Sequence, residues 1–176
     1  MSRTNPNKKK KRRAKKTILI FGEGFNEEMF LKHLRKLYAY DSGIAVTVKK
    51  GRGGNAQNIV VDSDKIPGAF GKKVVMFDND KPKNEMIQAR KEAKVRNILL
   101  LENTPCLEYL LMTIVDKKPK KKNSQWCKKE FENKYIHRKK RREFTEYDKV
   151  FPKKLLDYKR STVPILNKLI SMMQGE

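Results

Sequence analysis

The stretch TILIFGEGFNEEMFLKHL, residues 17–34, decides the fold of this chain. Its first five residues are apolar or β-branched and end at Gly22, so they predict a short buried strand. Asn26 is a suitable helix cap, and Glu27 and Glu28 suit a first helical turn. Apolar side chains then recur at helical spacing, at Phe30, Leu34, Leu37 and Tyr38. The stretch therefore predicts a strand that leads directly into an amphipathic helix.

The same alternation continues along the chain. Further strands are predicted at residues 44–48 (IAVTV), 73–77 (KVVMF) and 97–101 (NILLL), with helices at residues 55–64 and 84–94 between them. Strands that alternate with helices indicate an α/β fold, here a mostly parallel four-stranded sheet flanked by helices.

The last helix of this region has its own signals. Thr104 is a suitable cap, and Pro105 suits the first helical position. The apolar stripe of that helix consists of Leu107, Leu110, Leu111, Ile114 and Val115. We therefore expect its leucines to be buried and Glu108 to lie at the edge of the stripe.

The net charge of +23 is concentrated in two segments. Residues 1–16 contain nine basic residues and no acid, and they predict a disordered basic tail. Residues 117–142 form a second basic segment, with thirteen basic residues and two acids. The α/β domain is expected at residues 17–116, and a helical C-terminal extension at residues 143–176. Because the remainder carries only about +3, the two segments should supply most of the affinity for a polyanion.

Composition also narrows the class of protein. No apolar run approaches the roughly 20 residues needed to cross a bilayer, so no membrane partner is expected. The charged N-terminus does not resemble a secretory signal, and two cysteines without CxxC spacing indicate reduced thiols in a cytoplasmic protein. Nucleic acid, either RNA or DNA, is the partner that these features favour. The residues expected to contact its phosphates are Lys8, Lys9, Lys10, Lys11, Arg12, Arg13, Arg52, Lys120, Lys121, Lys122, Arg138, Lys139, Lys140, Arg141 and Arg142.

Three ring side chains lie among basic residues. His33 has Lys32 and Arg35 beside it on the predicted helix, so we expect it to face solvent. Trp126 and Tyr135 alternate with lysines in the basic segment. These two side chains either stack on bases or anchor the C-terminal helices.

Acidic side chains follow the predicted strands. Glu23 comes after the first strand, Asp78 and Asp80 follow the third in FDND, and Glu108 lies in the first turn after the fourth. Ligands bind outside the carboxyl ends of parallel strands, so these acids are expected at one edge of the sheet. Mg²⁺ is held by one or two carboxylates together with waters and phosphate oxygens. We therefore predict that Asp78 and Asp80 bind Mg²⁺ or Mn²⁺, that Glu23 binds the metal or acts as a general base, and that Glu108 supports the site.

Each of these motifs has a simpler interpretation. The segment DND suits an ordinary turn, and Glu27 and Glu108 also complement helix N-termini. The glycine-rich segment GRGGN, residues 51–55, either cradles a phosphate with Arg52 or forms a plain loop.

Three segments together resemble the Toprim fold, and specifically its RloB-like branch. They are ILIFGEGFNEEMFLKHL (residues 18–34), VVMFDND (residues 74–80) and ENTPCLEYLL (residues 102–111). The residues that match the family's motifs are Glu23, Glu28, Asp78, Asp80, Asn103, Pro105, Cys106 and Glu108. The chain departs from the family in having Glu27 in place of threonine, Tyr109 in place of tryptophan, and Thr104 as an extra residue.

The resemblance implies divalent-metal phosphodiester chemistry and an association with anti-phage defence. On this basis a metal-dependent nuclease is expected, with Glu23, Asp78, Asp80 and Glu108 as catalytic residues. A binding module without catalysis is the alternative, in which the acids are structural and the basic segments bind nucleic acid. A third interpretation is an accessory subunit of a defence complex, whose basic segments contact an acidic protein partner.

Overall fold

The computed structural model describes residues 16–40, 42–115, 119 and 123–176. Its helices and strands follow in the order β1 (Lys16–Gly22), α1 (Phe25–Tyr38), β2 (Ile44–Lys50), α2 (Ala56–Asp64), β3 (Lys72–Asp78), α3 (Lys83–Val95), β4 (Ile98–Asn103), α4 (Leu107–Ile114), α5 (Ser124–Lys134), α6 (Phe144–Val150), α7 (Lys153–Lys159) and α8 (Pro164–Gln174). The predicted tail lies outside the described residues, except for Lys16, which begins β1. None of the described helices is long and apolar enough to span a bilayer.

The four strands form one sheet in the order β2-β1-β3-β4, and every neighbouring pair is parallel. In this register Ile18 of β1 lies opposite Val46 of β2 and Lys72 of β3. Helices cover both faces of the sheet. The predicted α/β fold with a four-stranded parallel sheet is therefore confirmed.

Successive residues of the central strands face two different cores. Ile20 and Met76 belong to the larger core, which includes side chains of α1 and α4–α8. Phe21 and Phe77 belong to the smaller core, beneath α2 and α3. Because both faces are covered, these strands consist almost entirely of apolar residues rather than alternating with polar ones.

The C-terminal helices complete the larger core. The buried cluster that contacts the sheet includes Phe131 of α5, Phe151 at the end of α6, and Leu166 of α8. Trp126 and Tyr135 pack against this cluster, and the Tyr135 ring stacks on Phe131 at 5.4 Å. These contacts support the anchoring role for both aromatic residues. The described parts of the basic segment and of the C-terminal extension therefore share one core with the α/β region.

Two predicted helix caps are wrong. Helix α1 is capped by Gly24 instead of Asn26, because the Glu27 carboxylate accepts the Gly24 amide at 3.0 Å and closes the first turn. Helix α4 begins at Leu107 after Cys106, so Thr104 is not its cap and Pro105 is not in its first turn. The Leu107 amide instead donates to the Asp78 carboxylate at 2.8 Å.

Helix α4 confirms one expectation and corrects another. Leu107, Leu110 and Leu111 are buried as predicted. Glu108 does not lie at an exposed edge of the stripe, since only 3 % of it is accessible. It is buried because α5 and the first turn of α1 also border this end of the helix.

The expected solvent exposure of His33 is wrong. The ring is completely buried, and its Nε2 donates to the Phe151 carbonyl at 2.8 Å. Its Nδ1 lies 3.5 Å from an Asp148 oxygen, while Lys36 pairs with the same carboxylate. Burial lowers the pKa of His33, and this effect outweighs the opposing effects of the Phe151 carbonyl and Asp148.

The lowered His33 pKa predicts an acid-sensitive contribution to stability. The unfolded chain takes up a proton near pH 6.5, the ordinary value for histidine, whereas the folded protein does so only at lower pH. The free energy of unfolding therefore loses up to about 1.4 kcal/mol per pH unit from this group as pH falls below 6.5. The measurement is urea unfolding between pH 5 and pH 8.

The histidine contribution is isolated by comparing variants, because Glu27 titrates in the same range with the opposite sign. His33→Gln should remove the contribution from the pH dependence, since Gln keeps a donor for the Phe151 carbonyl. His137→Gln changes an exposed histidine and is the control for replacing one imidazole by an amide. Equal pH dependence in wild type and His33→Gln would contradict the prediction.

Candidate functional site

A pocket of about 420 Å³ lies at the carboxyl ends of β1 and β3, the two central strands. The chain runs from β1 to β2 on one side and returns to β3 on the other, so the strand order reverses between β1 and β3. Crevices at such reversals are the usual ligand sites of open parallel sheets. The pocket is lined by Glu23, Gly24, Phe25, Asn26, Glu27, Lys50, Gly51, Arg52, Gly53, Asp78, Glu108, Lys128, Glu132, Arg138 and Arg141.

Close backbone packing shapes the end of β1. A Cβ atom on Gly22 would lie 2.6 Å from the Cβ of Glu27, so glycine allows the first turn of α1 to approach the strand. The Glu23 amide donates to the Met76 carbonyl at 2.9 Å, which ties the end of β1 to β3. The Glu23 carbonyl accepts from Gly53 at 3.1 Å and fixes the glycine-rich loop against the same point.

The glycine-rich loop after β2 borders the pocket. Gly53 and Gly54 have φ values of 76° and 102°, which side chains other than glycine rarely adopt. Lys50 and Arg52 line the pocket beside them. The loop thus brings backbone and basic side chains to the acidic centre, and whether it binds a phosphate stays a prediction.

Glu23 and Asp78 are joined directly. The Asp78 amide donates to one Glu23 carboxylate oxygen at 3.1 Å, and Lys81 donates to the other at 2.8 Å. Asp78 is 5 % exposed, and its Oδ1 accepts from the Leu107 amide at 2.8 Å and from Asn103 at 3.4 Å. Both carboxylates are therefore held in fixed orientations at the sheet edge, where the sequence predicted them.

Asp80 occupies a different position. Its carboxylate is 31 % exposed and is not part of the pocket lining. Lys128 of α5 lies 3.2 Å from Asp78 Oδ2 and 3.7 Å from Asp80 Oδ2. The two aspartates are therefore near each other, but only Asp78 faces the pocket.

Glu108 lies in the pocket wall at the start of α4. Its Oε1 accepts from the Asn26 side chain at 2.9 Å. Its Oε2 is buried and has no hydrogen-bond partner among the described residues. Glu108 was expected only to support the site from the edge of a helix, but its carboxylate lies in the wall of the pocket itself.

Burial and the closeness of several acids shift the pKa values of ionisable side chains in the pocket. Burial, reinforced by the nearby Asp78 charge, raises the pKa of Glu27 to about 8. Burial also raises the pKa of Asp78 to about 6, although Lys128 acts in the opposite direction. Burial tends to lower the pKa of Lys128, but Asp78, Glu108 and Asp80 together raise it above its ordinary value. The pocket floor therefore favours bound positive charge.

Basic side chains surround this acidic floor. Arg52, Arg138 and Arg141 line the pocket, and the Arg141 guanidinium lies 5.2 Å from the centre of the Phe25 ring. Lys139 and Arg142 extend the cluster onto the adjoining surface, and Lys140 lies 4.0 Å from Glu146. The other predicted phosphate-binding residues lie outside the described residues: Lys8, Lys9, Lys10, Lys11, Arg12, Arg13, Lys120, Lys121 and Lys122.

The carboxylate oxygens of the pocket are the type of ligand that Mg²⁺ binds in proteins. Among the described residues, no group of three or more acidic, histidine or cysteine side chains has the arrangement of a metal centre. A site with two carboxylates suits Mg²⁺, which completes its shell with waters and phosphate oxygens. Asp78 and Glu108 both line the pocket, and the Glu108 Oε2 atom has no hydrogen-bond partner among the described residues, so the donor types present are those that a divalent cation prefers.

Several residues of the site were not predicted from the sequence. Lys81 directly follows the FDND segment, so its position beside the acids could have been recognised from the local sequence. Asn26 was recognised only as a helix cap, although its side chain binds Glu108 across the pocket. Lys128 belongs to a helix far along the chain from Asp78, and nothing in the local sequence indicates this pairing.

Comparisons with protein-family models, curated proteins and solved structures find no significant match to this chain. The fold and the site alone therefore define the class: an α/β protein with an acid-lined, basic-rimmed pocket at the edge of a parallel sheet.

Proposed function

We propose that this protein is a divalent-metal-dependent nuclease that hydrolyses phosphodiester bonds of RNA or DNA. One observation carries the proposal: an acidic pocket floor lies inside a rim of arginine and lysine side chains, at the sheet edge where ligands bind. A nucleic-acid phosphate is attracted by the rim and repelled by the floor unless a cation lies between them. The arrangement therefore suits a phosphate substrate together with a metal ion.

Two acidic residues of the pocket have different roles in the proposed reaction: Asp78 binds the cation, and Glu23 accepts a proton. A Mg²⁺ or Mn²⁺ ion would supply an activated water and neutralise charge on the phosphodiester. Asp78, fixed by the Leu107 amide and Asn103, would hold the cation. Glu23, oriented by Lys81 and the Asp78 amide, is placed to accept a proton from the attacking water.

Binding without catalysis is the second candidate, and a specific observation favours it. Lys81 and Lys128 already form ion pairs with Glu23 and Asp78, at 2.8 Å and 3.2 Å. If these pairs persist in solution, the acids are structural and the basic surface alone binds nucleic acid.

A cleavage assay separates the two candidates. Labelled single-stranded and duplex RNA and DNA are incubated with the full chain in Mg²⁺, Mn²⁺ or EDTA. Asp78→Asn, purified in parallel, controls for contaminating nucleases. Cleavage that requires a metal and Asp78 supports the nuclease. Binding without cleavage of any substrate supports the binding module.

The basic rim makes a separate prediction about binding. Replacing two phosphate contacts in Arg138→Gln/Arg141→Gln should reduce the slope of log affinity against log salt by about 1.4 for single strands and about 1.8 for duplex DNA. Lys154→Gln/Lys168→Gln removes the same charge from exposed C-terminal helix positions outside the pocket. Fluorescence anisotropy at several salt concentrations measures both slopes. Equal changes in the two double variants would show that net charge, and not the rim, determines binding.

A further inference from the structure

We propose that the divalent cation of this pocket is held between Asp78 and Glu108, and not between the two aspartates of the DND segment. The inference deepens the proposed function and rests on it for the role of the ion. Its supporting observations concern the individual oxygen atoms of the three carboxylates.

Glu108 presents an oxygen that needs a partner. The residue is 3 % exposed and lines the pocket, and Asn26 occupies only its Oε1. Oε2 is buried with no donor in the part of the chain that the structure describes. A buried carboxylate oxygen without a partner is costly, more so when the group is charged. A cation bound at Oε2 removes this cost.

Asp78 offers a matching oxygen. The Leu107 amide and Asn103 both donate to Oδ1, which leaves Oδ2 directed toward Lys128. The bond to Leu107 also fixes the start of α4, and Glu108 is the next residue. This hydrogen bond therefore joins the Asp78 carboxylate to the backbone turn that carries Glu108.

Asp80 lacks these features. Strand β3 ends at Asp78, and the Asn79 amide turns to donate to the Asn103 carbonyl at 2.8 Å. The rule that residues two apart project to the same side applies to an extended strand, so it does not extend to Asp80. The Asp80 carboxylate is more exposed than that of Asp78 and lies outside the pocket lining.

Lys128 is the competitor that this arrangement predicts. Its ammonium lies 3.2 Å from Asp78 Oδ2, the oxygen that the cation would use. The Lys128 side chain is 46 % exposed, so it has room to move into solvent when a cation binds. Removing it should therefore strengthen cation binding, because the competing ammonium and its repulsion of the cation are both lost.

The test measures Mn²⁺ affinity by electron paramagnetic resonance with the full chain and no nucleic acid. Glu108→Gln should weaken Mn²⁺ binding at least about tenfold, since even residues that only support metal ligands contribute this much. Asp80→Asn should have a smaller effect, and Lys128→Met should bind Mn²⁺ more tightly than the wild type. Asp62→Asn, at an exposed position on α2, controls for the loss of one negative charge.

Folding is checked by thermal melts in EDTA. Gln at position 108 keeps an oxygen that accepts from Asn26, and Glu108→Asp provides a second, shorter variant with the same expected loss of Mn²⁺ affinity. Wild-type affinity in folded Glu108→Gln, a larger loss in Asp80→Asn, or no Mn²⁺ binding by the wild type would each overturn the inference. Binding through Glu108 without cleavage would refute the nuclease and leave the cation site standing.

Discussion

Asp78→Asn is expected to remove most of the metal-dependent cleavage while the protein stays folded. Asp78 contacts the Glu23 carboxylate through its amide, the start of α4 through Oδ1 and Lys128 through Oδ2. Asparagine keeps an oxygen for the Leu107 amide but removes the negative charge that binds a cation. We expect the cleavage rate to fall roughly 10²–10³-fold, the effect of removing one charge-stabilising group from an active site.

The same variant should remain stable. Because its shape and the Leu107 hydrogen bond are retained, the free energy of unfolding in EDTA should change by no more than about 1 kcal/mol. Asp62→Asn, the matched control, should cleave like the wild type. Cleavage by Asp78→Asn at the wild-type rate would show that the pocket is not the catalytic centre.

Phe151→Ala should produce the largest loss of stability. The Phe151 ring is completely buried, at 5.6 Å from Phe30 and 6.3 Å from Phe131, and its carbonyl accepts from His33. Truncation of a buried phenylalanine costs about 3–5 kcal/mol, through lost burial and the cavity left behind. This is a large part of the 5–15 kcal/mol that is typical of a whole domain.

The measurement is urea unfolding followed by circular dichroism and by the fluorescence of Trp126. Both signals should shift together, because Phe151 joins the C-terminal helices to the helix α1 that covers the sheet. Phe144→Ala, at a position that is 39 % exposed, should cost less than about 1 kcal/mol. Two separate transitions, or a small loss in Phe151→Ala, would mean that the C-terminal helices fold as an independent unit.

The sequence was informative about the elements of the sheet and about the place of the acids. The runs TILIF and KVVMF form buried strands, and Glu23 and Asp78 lie at their carboxyl ends. These features were predictable because they depend on neighbouring residues: short apolar runs bounded by polar or turn residues form strands, and parallel topology brings their ends together.

The caps and the burial of polar groups were not predictable in this way. Asn26 has the composition of a helix cap, yet its side chain binds Glu108, 82 residues further along the chain. His33 has basic neighbours in sequence, yet it lies beneath Phe151, 118 residues away. The local sequence indicates which role a side chain is suited to, such as capping a helix or facing solvent. Contacts with residues far along the chain determine which role it has in the folded protein.

The sequence by itself determined an α/β chain with a nearly neutral core, strong positive charge at two segments and acids at the strand ends. Only the tertiary structure decided which acids share a pocket, since that depends on where α4 and α5 pack. Helix packing places Glu108 in the pocket wall and Lys128 against Asp78, whereas Asp80 lies outside the pocket. Residue spacing along the chain does not predict these contacts. Helices α4 and α5 pack to bury their apolar faces, and this packing also determines where their polar residues Glu108 and Lys128 lie.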